Sequence, residues 1–381
     1  MSFTRALSIA CISTFVLLSL VACGGGQQNI APLPAAGSVA RPLRSVGHRA
    51  SPHVTITEYS LSGVAPNAAG NGAMTPDGSL WLGAGSALLH VTAAGSATAA
   101  PVPTGVCGFA TCTATGSAAY RGDDTVWFTT QIAAYGQLGT GVVFMNGSGI
   151  IENGGALVIS GYATKPVGNI AVGGDGRLWF AYCGAGAVGC NLVAAGSGPG
   201  SGPQAYPLGS YVPNSIAAGP DGKLYLTEVS TSGESSVARI ATNGAILQRF
   251  ALPVGSISSS GTASGIASGD DGRLWIVESG INKIARMTTD GALTQYSIPT
   301  PHAGARNIAL ASDRRLWFTE FKADKIGSIG RNGKITEFAL PTPNAGPDGI
   351  ASLSLAQCGG SLPRYLWIIE DTSDAVAKLS F

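Results

Sequence analysis

One short phrase returns seven times along this chain and constrains everything else about it. It reads DGSLWL at Asp77–Leu82, DDTVWF at Asp123–Phe128, DGRLWF at Asp175–Phe180 and DGKLYL at Asp221–Leu226. It continues as DGRLWI at Asp271–Ile276, DRRLWF at Asp313–Phe318 and RYLWII at Arg364–Ile369. The aromatic of the phrase, at Trp81, Trp127, Trp179, Tyr225, Trp275, Trp317 and Trp367, recurs every 42 to 52 residues. A period of that length marks a supersecondary unit that cannot bury its own faces and must pack against its neighbours.

The clearest copy runs from Gly265 to Pro299. Gly265-Ile266-Ala267 opens a short apolar strand, and Asp271-Gly272 supplies a tight turn, Gly accepting the positive φ such a turn needs. Leu274–Glu278, Lys283–Met287 and Leu293–Ile298 read as three further strands, with Asp290-Gly291 as the second tight turn. Four antiparallel strands make one blade, and seven blades around an axis make a β-propeller. The fold class is therefore all-β, a seven-bladed β-propeller of four-stranded antiparallel blades. The recurring aromatic is a large flat side chain suited to the seam between blades.

The ends of the chain show how the ring closes. His53–Leu61 matches an outermost strand such as Lys334–Leu340, yet precedes the first full repeat. The last repeat stops after its third strand, Ala375–Phe381. The N-terminal strand is expected to complete the last blade and leave no open edge.

Ahead of the repeats, Arg5 is followed by apolar and small residues from Ala6 to Ala22. That is the pattern of a signal peptide. It ends in Leu20-Val21-Ala22-Cys23, which resembles the bacterial lipobox and implies cleavage before Cys23 and acylation of that cysteine. The alternative is an ordinary secretory signal. The expected organisation is a lipoprotein signal at 1–22, a lipid-anchored tether at 23–52 rich in Ala, Pro, Gly and Gln, and the propeller at 53–381. Gly24 in place of Asp after the cysteine points to the outer membrane of a bacterium, facing the periplasm or the cell surface.

Composition narrows the partners. Charged residues are 11% of the chain, with 22 basic and 21 acidic side chains, against roughly 25% charged in ordinary domains. With basic and acidic side chains nearly balanced, no basic patch is expected to hold a nucleic acid. The expected partner is a small molecule or glycan, met by a monomer that touches membrane only through its anchor. In an oxidising compartment Cys107 and Cys112, and Cys183 and Cys190, are close enough in sequence for two local disulfides. Cys358 is left over, as a buried thiol or the partner of another loop.

The stretch LWFTEFKADKIGSIGRNGKITEFALPTPNAGPDGI, Leu316 to Ile350, resembles the repeat of the virginiamycin B lyase (streptogramin lyase) family, as does GIASGDDGRLWIVES at Gly265 to Ser279. The resemblance spans about residues 53–381 and is strongest from Val212 onward. It implies a seven-bladed propeller that binds Mg2+ and opens cyclic streptogramin B antibiotics by elimination across an ester. That chemistry needs a base beside an acidic Cα–H and a cation on the carbonyl.

The family keeps its base in a Pro-His-Gly-Ile phrase at the start of the last blade, and a substrate-contacting histidine at the matching place one blade earlier. Here those phrases are Pro347-Asp348-Gly349-Ile350 and Ala305-Arg306-Asn307-Ile308. The resemblance thus puts Asp348 at the base position and Arg306, beside Asn307, at the substrate position. Of the two metal-binding Glu positions, one is matched by Glu370 and the other holds Gly346. A carboxylate, with an ordinary pKa of about 4, is a weak base for a Cα–H. His302, four residues before Arg306, is the one loop histidine that could lean in.

A second pattern comes from the repeats themselves. Glu228, Glu278, Glu320 and Glu370 end the second strand in four successive blades. By symmetry they are expected to ring part of the upper mouth of the channel, where converging carboxylates would bind Mg2+ or Ca2+. The alternative is that each pairs with a nearby cation such as Lys283, Lys322 or Lys325. Two functions remain open: a ligand-binding module with a degenerate lyase site, or an enzyme. The enzyme would be a Mg-dependent carbon–oxygen lyase acting on cyclic depsipeptide esters, or a metal-dependent lactonase.

Overall fold

Each Asp-Gly turn folds one short apolar strand back on the strand before it, and the hairpins extend into sheets. The computed structural model describes residues 42–47 and 54–381, apart from 65–69, 103–110, 123–124, 135–136, 146–150, 158–164, 185–188, 196–202, 259–263 and 354–361. Among the described residues there are 29 strands and no helix. They form seven antiparallel sheets, six of four strands and one of five. Inner strands of successive blades lie side by side around the axis: Gly265 N donates to Arg306 O at 2.7 Å, and Ala118 N to Asn71 O at 2.7 Å. The approach is close enough to require glycine. A Cβ on Gly349 would lie 1.9 Å from Gly70 O.

The recurring aromatics are the packing seam. All seven are buried, at 0–4% exposure. Trp275 packs with Ile308, Leu316 and Phe318 of the following blade, and Trp317 with Ile350, Leu366 and Ile368. The Asp of the turn has a second use. Its carboxylate accepts the indole N–H four residues later, Trp179 to Asp175, Trp275 to Asp271 and Trp317 to Asp313, each at 3.2 Å. Tyr225 reaches Asp221 in the same way at 3.1 Å.

The ring closes as expected. Thr55–Ser60 pairs antiparallel with Ala375–Ser380, Thr57 facing Lys378, and buries Ile56 and Leu61 completely. One strand was not foreseen. Pro42–Gly47, within the span read as tether, pairs with Thr55–Ser60 and makes the closing blade five-stranded. The closing strand offers a free outer edge, and the preceding segment is near enough along the chain to cover it.

The turns joining first to second and third to fourth strands lie on one face, called here the lower face. The inter-blade loops and the second-to-third-strand loops lie on the upper face. The disulfide between Cys183 and Cys190 forms, in one of these upper loops. The Cys107–Cys112 pairing and the fate of Cys358 and Cys23 involve positions outside the described residues.

Candidate functional site

Register fixes which side chains meet at the upper end of the channel. In blade six Ala309 pairs with Trp317, so Asn307 and Arg306 stand two and three residues before that anchor. The same pairing is made by Ala73–Trp81, Ala171–Trp179, Ala217–Tyr225 and Ala351–Trp367. The position of Asn307 is therefore held by Asn71, Asn169 and Ser215 in blades one, three and four, and by Gly349 in blade seven. The position of Arg306 is held by Asn214 in blade four and Asp348 in blade seven.

These side chains tie the inner strands together. Asn307 Nδ2 donates to Asp348 O at 2.9 Å. Asn71 Nδ2 donates to Asn307 Oδ1 at 2.9 Å, and its Oδ1 accepts from Ile350 N at 3.2 Å. Asn169 Oδ1 accepts from Ile216 N at 2.7 Å, and Asn214 Oδ1 from Ser264 N. The belt lines a polar cavity of about 160 Å³, to which Arg306 and Asp348 also contribute. The asparagines were not singled out in the sequence. Their signal was there, as a polar residue two before the anchoring alanine in blades one, three, four and six, but it is visible only once strand register is known.

Arg306 and Asp348 form an ion pair, Nη1 to Oδ1 at 3.0 Å, with both side chains half-buried. The guanidinium lies over the ring of Phe321, 3.3 Å from its centroid, a cation–π contact that fixes its plane. Burial raises the Asp371 carboxyl above the usual carboxylate range, and nearby Asp348 adds to the rise while Arg306 opposes it. Asp371, whose backbone N–H donates to Gly346 O at 3.0 Å, stands beside this pair in the blade of Asp348. It was missed in the sequence because strand pairing, not proximity along the chain, brings it to residues 346–348. His302 is not brought in. It is exposed, in the left-handed region at φ 52°, and does not line the cavity.

The four glutamates do not ring the mouth. Each is fully buried inside its own blade, paired with Ser236, Lys283, Lys325 or Ala375 of the third strand, and lies diagonally from an outer-strand residue set opposite a small third-strand residue. Ala238 sets Arg249 there in blade four, Ala285 sets Gln295, Gly327 sets Glu337 and Ala377 sets Glu58. Glu228 accepts from Arg249 Nε at 2.6 Å, and Glu278 from Gln295 Nε2 at 2.6 Å. Glu320 faces Glu337, and neither of its oxygens has a hydrogen-bond partner. Burial, then repulsion from Glu337, pushes the Glu320 carboxyl up to about 8. Glu370 keeps one bond, from Ser373 Oγ at 2.6 Å, and burial, aided by Glu58, pushes it up to about 8.

The metal expectation meets the same obstacle. Among the described residues no three His, Cys, Asp or Glu side chains are grouped as a metal site. Gly346, at the second metal position, takes φ 59°, and a Cβ there would lie 2.5 Å from Thr372 Oγ1. Mg2+ asks for several well-placed oxygens, and one buried glutamate beside a remodelled turn does not fit it.

No family model matches the chain, and no curated protein matches it. Solved structures do. Virginiamycin B lyase from Staphylococcus aureus superposes with a TM-score of 0.63 at 24% identity, over 86% of this chain and 99% of that one. A streptogramin B lyase structure gives 0.65 at 24% identity, over 86% and 97%. The chain has the fold of the streptogramin B lyases. A gluconolactonase from Xanthomonas campestris shares the architecture more distantly, with a TM-score of 0.50 at 15% identity, over 91% and 98%. At such identities the likeness concerns the backbone, and the chemistry must be read from this chain's own residues.

Proposed function

We propose that the channel mouth binds a small polar molecule or the end of a glycan, and that binding rather than ester elimination is its role. One observation carries this reading. Where the lyase resemblance sets two histidines, this chain has Arg306 and Asp348 bound to each other at 3.0 Å. A carboxylate engaged by a guanidinium is poorly placed to take a proton from carbon. The same pair, with the amides of Asn71 and Asn307, offers both donors and acceptors to a polar ligand. The cavity of about 160 Å³ is below the roughly 300 Å³ of drug-sized sites, which suits a sugar edge or small metabolite. A thermal-shift screen of sugars and small polar metabolites tests the reading. A hit should vanish in Asn71→Ala, and a screen without any such hit would count against it.

The competing reading is an ester-opening enzyme whose base would be Asp371, tied by its backbone N–H to Gly346 O at 3.0 Å, two residues before Asp348. Burial, with Asp348 beside it, raises this carboxyl, the direction that strengthens a carboxylate as a base. Incubating the protein with a streptogramin B compound and Mg2+, followed by mass spectrometry, separates the two readings. Only intact ring is expected. A linear product that disappears in Asp371→Asn would replace binding by catalysis.

The N-terminal motif supports a lipoprotein held at the bacterial outer membrane through Cys23. Palmitate labelling that persists in Cys23→Ser would remove that support.

A further inference from the structure

Blade six differs from its neighbours on the lower face, far from the channel mouth. Its first turn reads Asp313-Arg314, where blades one, three, four and five read Asp-Gly. The backbone does not change to suit the arginine. Gly78, Gly176, Gly222 and Gly272 have φ between 71° and 84°, and Arg314 is held at φ 63°. A residue with a Cβ is strained in that region, and arginine is not among the types that tolerate it well. The second turn of the blade departs in the same direction. Arg331 stands where blades four and five have Thr242 and Thr289, and Lys334 stands where they have Ala245 and Ala292.

The three added cations share one place. With Arg315 and Asp270 of blade five they line a cleft of about 570 Å³ between the two blades. Asp270 is the single carboxylate in its wall, and Arg331 engages it through two bonds, Nη2 to Oδ2 at 2.6 Å and Nε to Oδ1 at 3.0 Å. Asp313 beneath gives its oxygens to Trp317 Nε1 and to the backbone N–H of Arg315. Among the described residues Arg314, Arg315 and Lys334 form no ion pair. The Nε of Arg315 is buried without a hydrogen-bond partner. A chain with 22 basic and 21 acidic side chains has thus placed four cations against one acid in a single concave site, one of them at the expense of backbone comfort.

We propose that this lower-face cleft is a binding site for a phosphoryl-bearing anion. Guanidinium forks match the tetrahedral oxygens of a phosphoryl group and hold them through paired N–H bonds, and Lys334 adds a mobile charge. The lining contains no aromatic ring, so a nucleobase would gain no stacking there and the anionic group itself is what the site recognises. The site owes nothing to the channel mouth, and its ligand is independent of the one proposed there.

The test uses the purified full chain with inorganic pyrophosphate by isothermal calorimetry at low salt. A parallel arm measures co-flotation with vesicles of phosphatidylglycerol against phosphatidylcholine, which separates a soluble phosphoryl ligand from a lipid headgroup. Arg314→Gly restores the residue of the other blades, so its melting temperature without ligand should equal or exceed that of the parent. Its affinity for the anion should fall about tenfold, and the triple variant Arg314→Gly, Arg331→Thr, Lys334→Ala should not bind. Raising salt should weaken parental binding steeply. The proposal is overturned if pyrophosphate gives no heat and both vesicle types float the protein equally, or if the triple variant binds like the parent.

Discussion

Arg306 of blade six donates to Asp348 of blade seven at 3.0 Å, and both side chains line the channel mouth. The pair joins two blades and is clamped from one side by Phe321. Replacing Arg306 by Lys keeps the charge but removes the planar fork and most of the ring contact. The variant is expected to lose about 1 kcal/mol of stability, read as a lower urea midpoint. An unchanged midpoint would show that the clamp contributes nothing.

The Glu320 carboxyl makes stability depend on pH with a defined sign. Its folded value is about 8, against 4.5 for the free side chain. Between those values the unfolded chain releases the proton while the folded chain keeps it, so folding stability falls as pH rises through that window. Glu320→Gln removes the penalty. It is expected to gain on the order of 2 kcal/mol over the parent at pH 8 and little at pH 5. Urea unfolding at the two pH values decides the matter, and an equal gain at both would mean the carboxyl is not held neutral. Glu370, also pushed up to about 8, should leave a residual slope in this variant.

Restoring a glutamate at residue 346 should not restore a metal site. Gly346 sits at φ 59°, with Thr372 and Phe321 against the space a side chain would need. Gly346→Glu is expected to cost about 2 kcal/mol, with no stabilisation by Mg2+. A melting temperature that rises with added Mg2+ in this variant would show that the turn can be reopened.

The closing strand should dominate stability at the chain ends. Val54, Ile56, Tyr59 and Leu61 are buried at 9% exposure or less, and burying four such side chains contributes roughly 6 kcal/mol or more. Deleting residues 54–61 is expected to abolish a cooperative thermal transition. Deleting only 42–47 should cost far less, since that strand covers an edge and Ser45 is exposed. Similar melting of the two deletions would refute this account of ring closure.

Much of this molecule was legible from the order of its residues. The sevenfold phrase gave the blade count, because a large aromatic at a steady interval has one economical use, the seam between stacked sheets. The unmatched strand at 53–61 and the missing fourth strand of the last blade gave the closure. The repeat is a local pattern of hairpins, and the closure, which pairs Thr57 with Lys378, was legible because the two chain ends carry complementary parts of one repeat.

What the sequence left open depends on direction and distance across blades. Glu228, Glu278, Glu320 and Glu370 occupy one repeat position, and symmetry alone suggested a common ring. Only the folded blade turns them inward, each against its own outer-strand partner: Arg249, Gln295, Glu337 or Glu58. The Arg306–Asp348 pair, the amide belt of Asn71, Asn169 and Asn307, and the cationic cleft around Arg314 each join residues from different blades or different turns. Periodicity fixes which positions are equivalent. Which of them touch is decided by the tertiary packing, because it sets the register, the twist and the few ångströms between neighbouring blades.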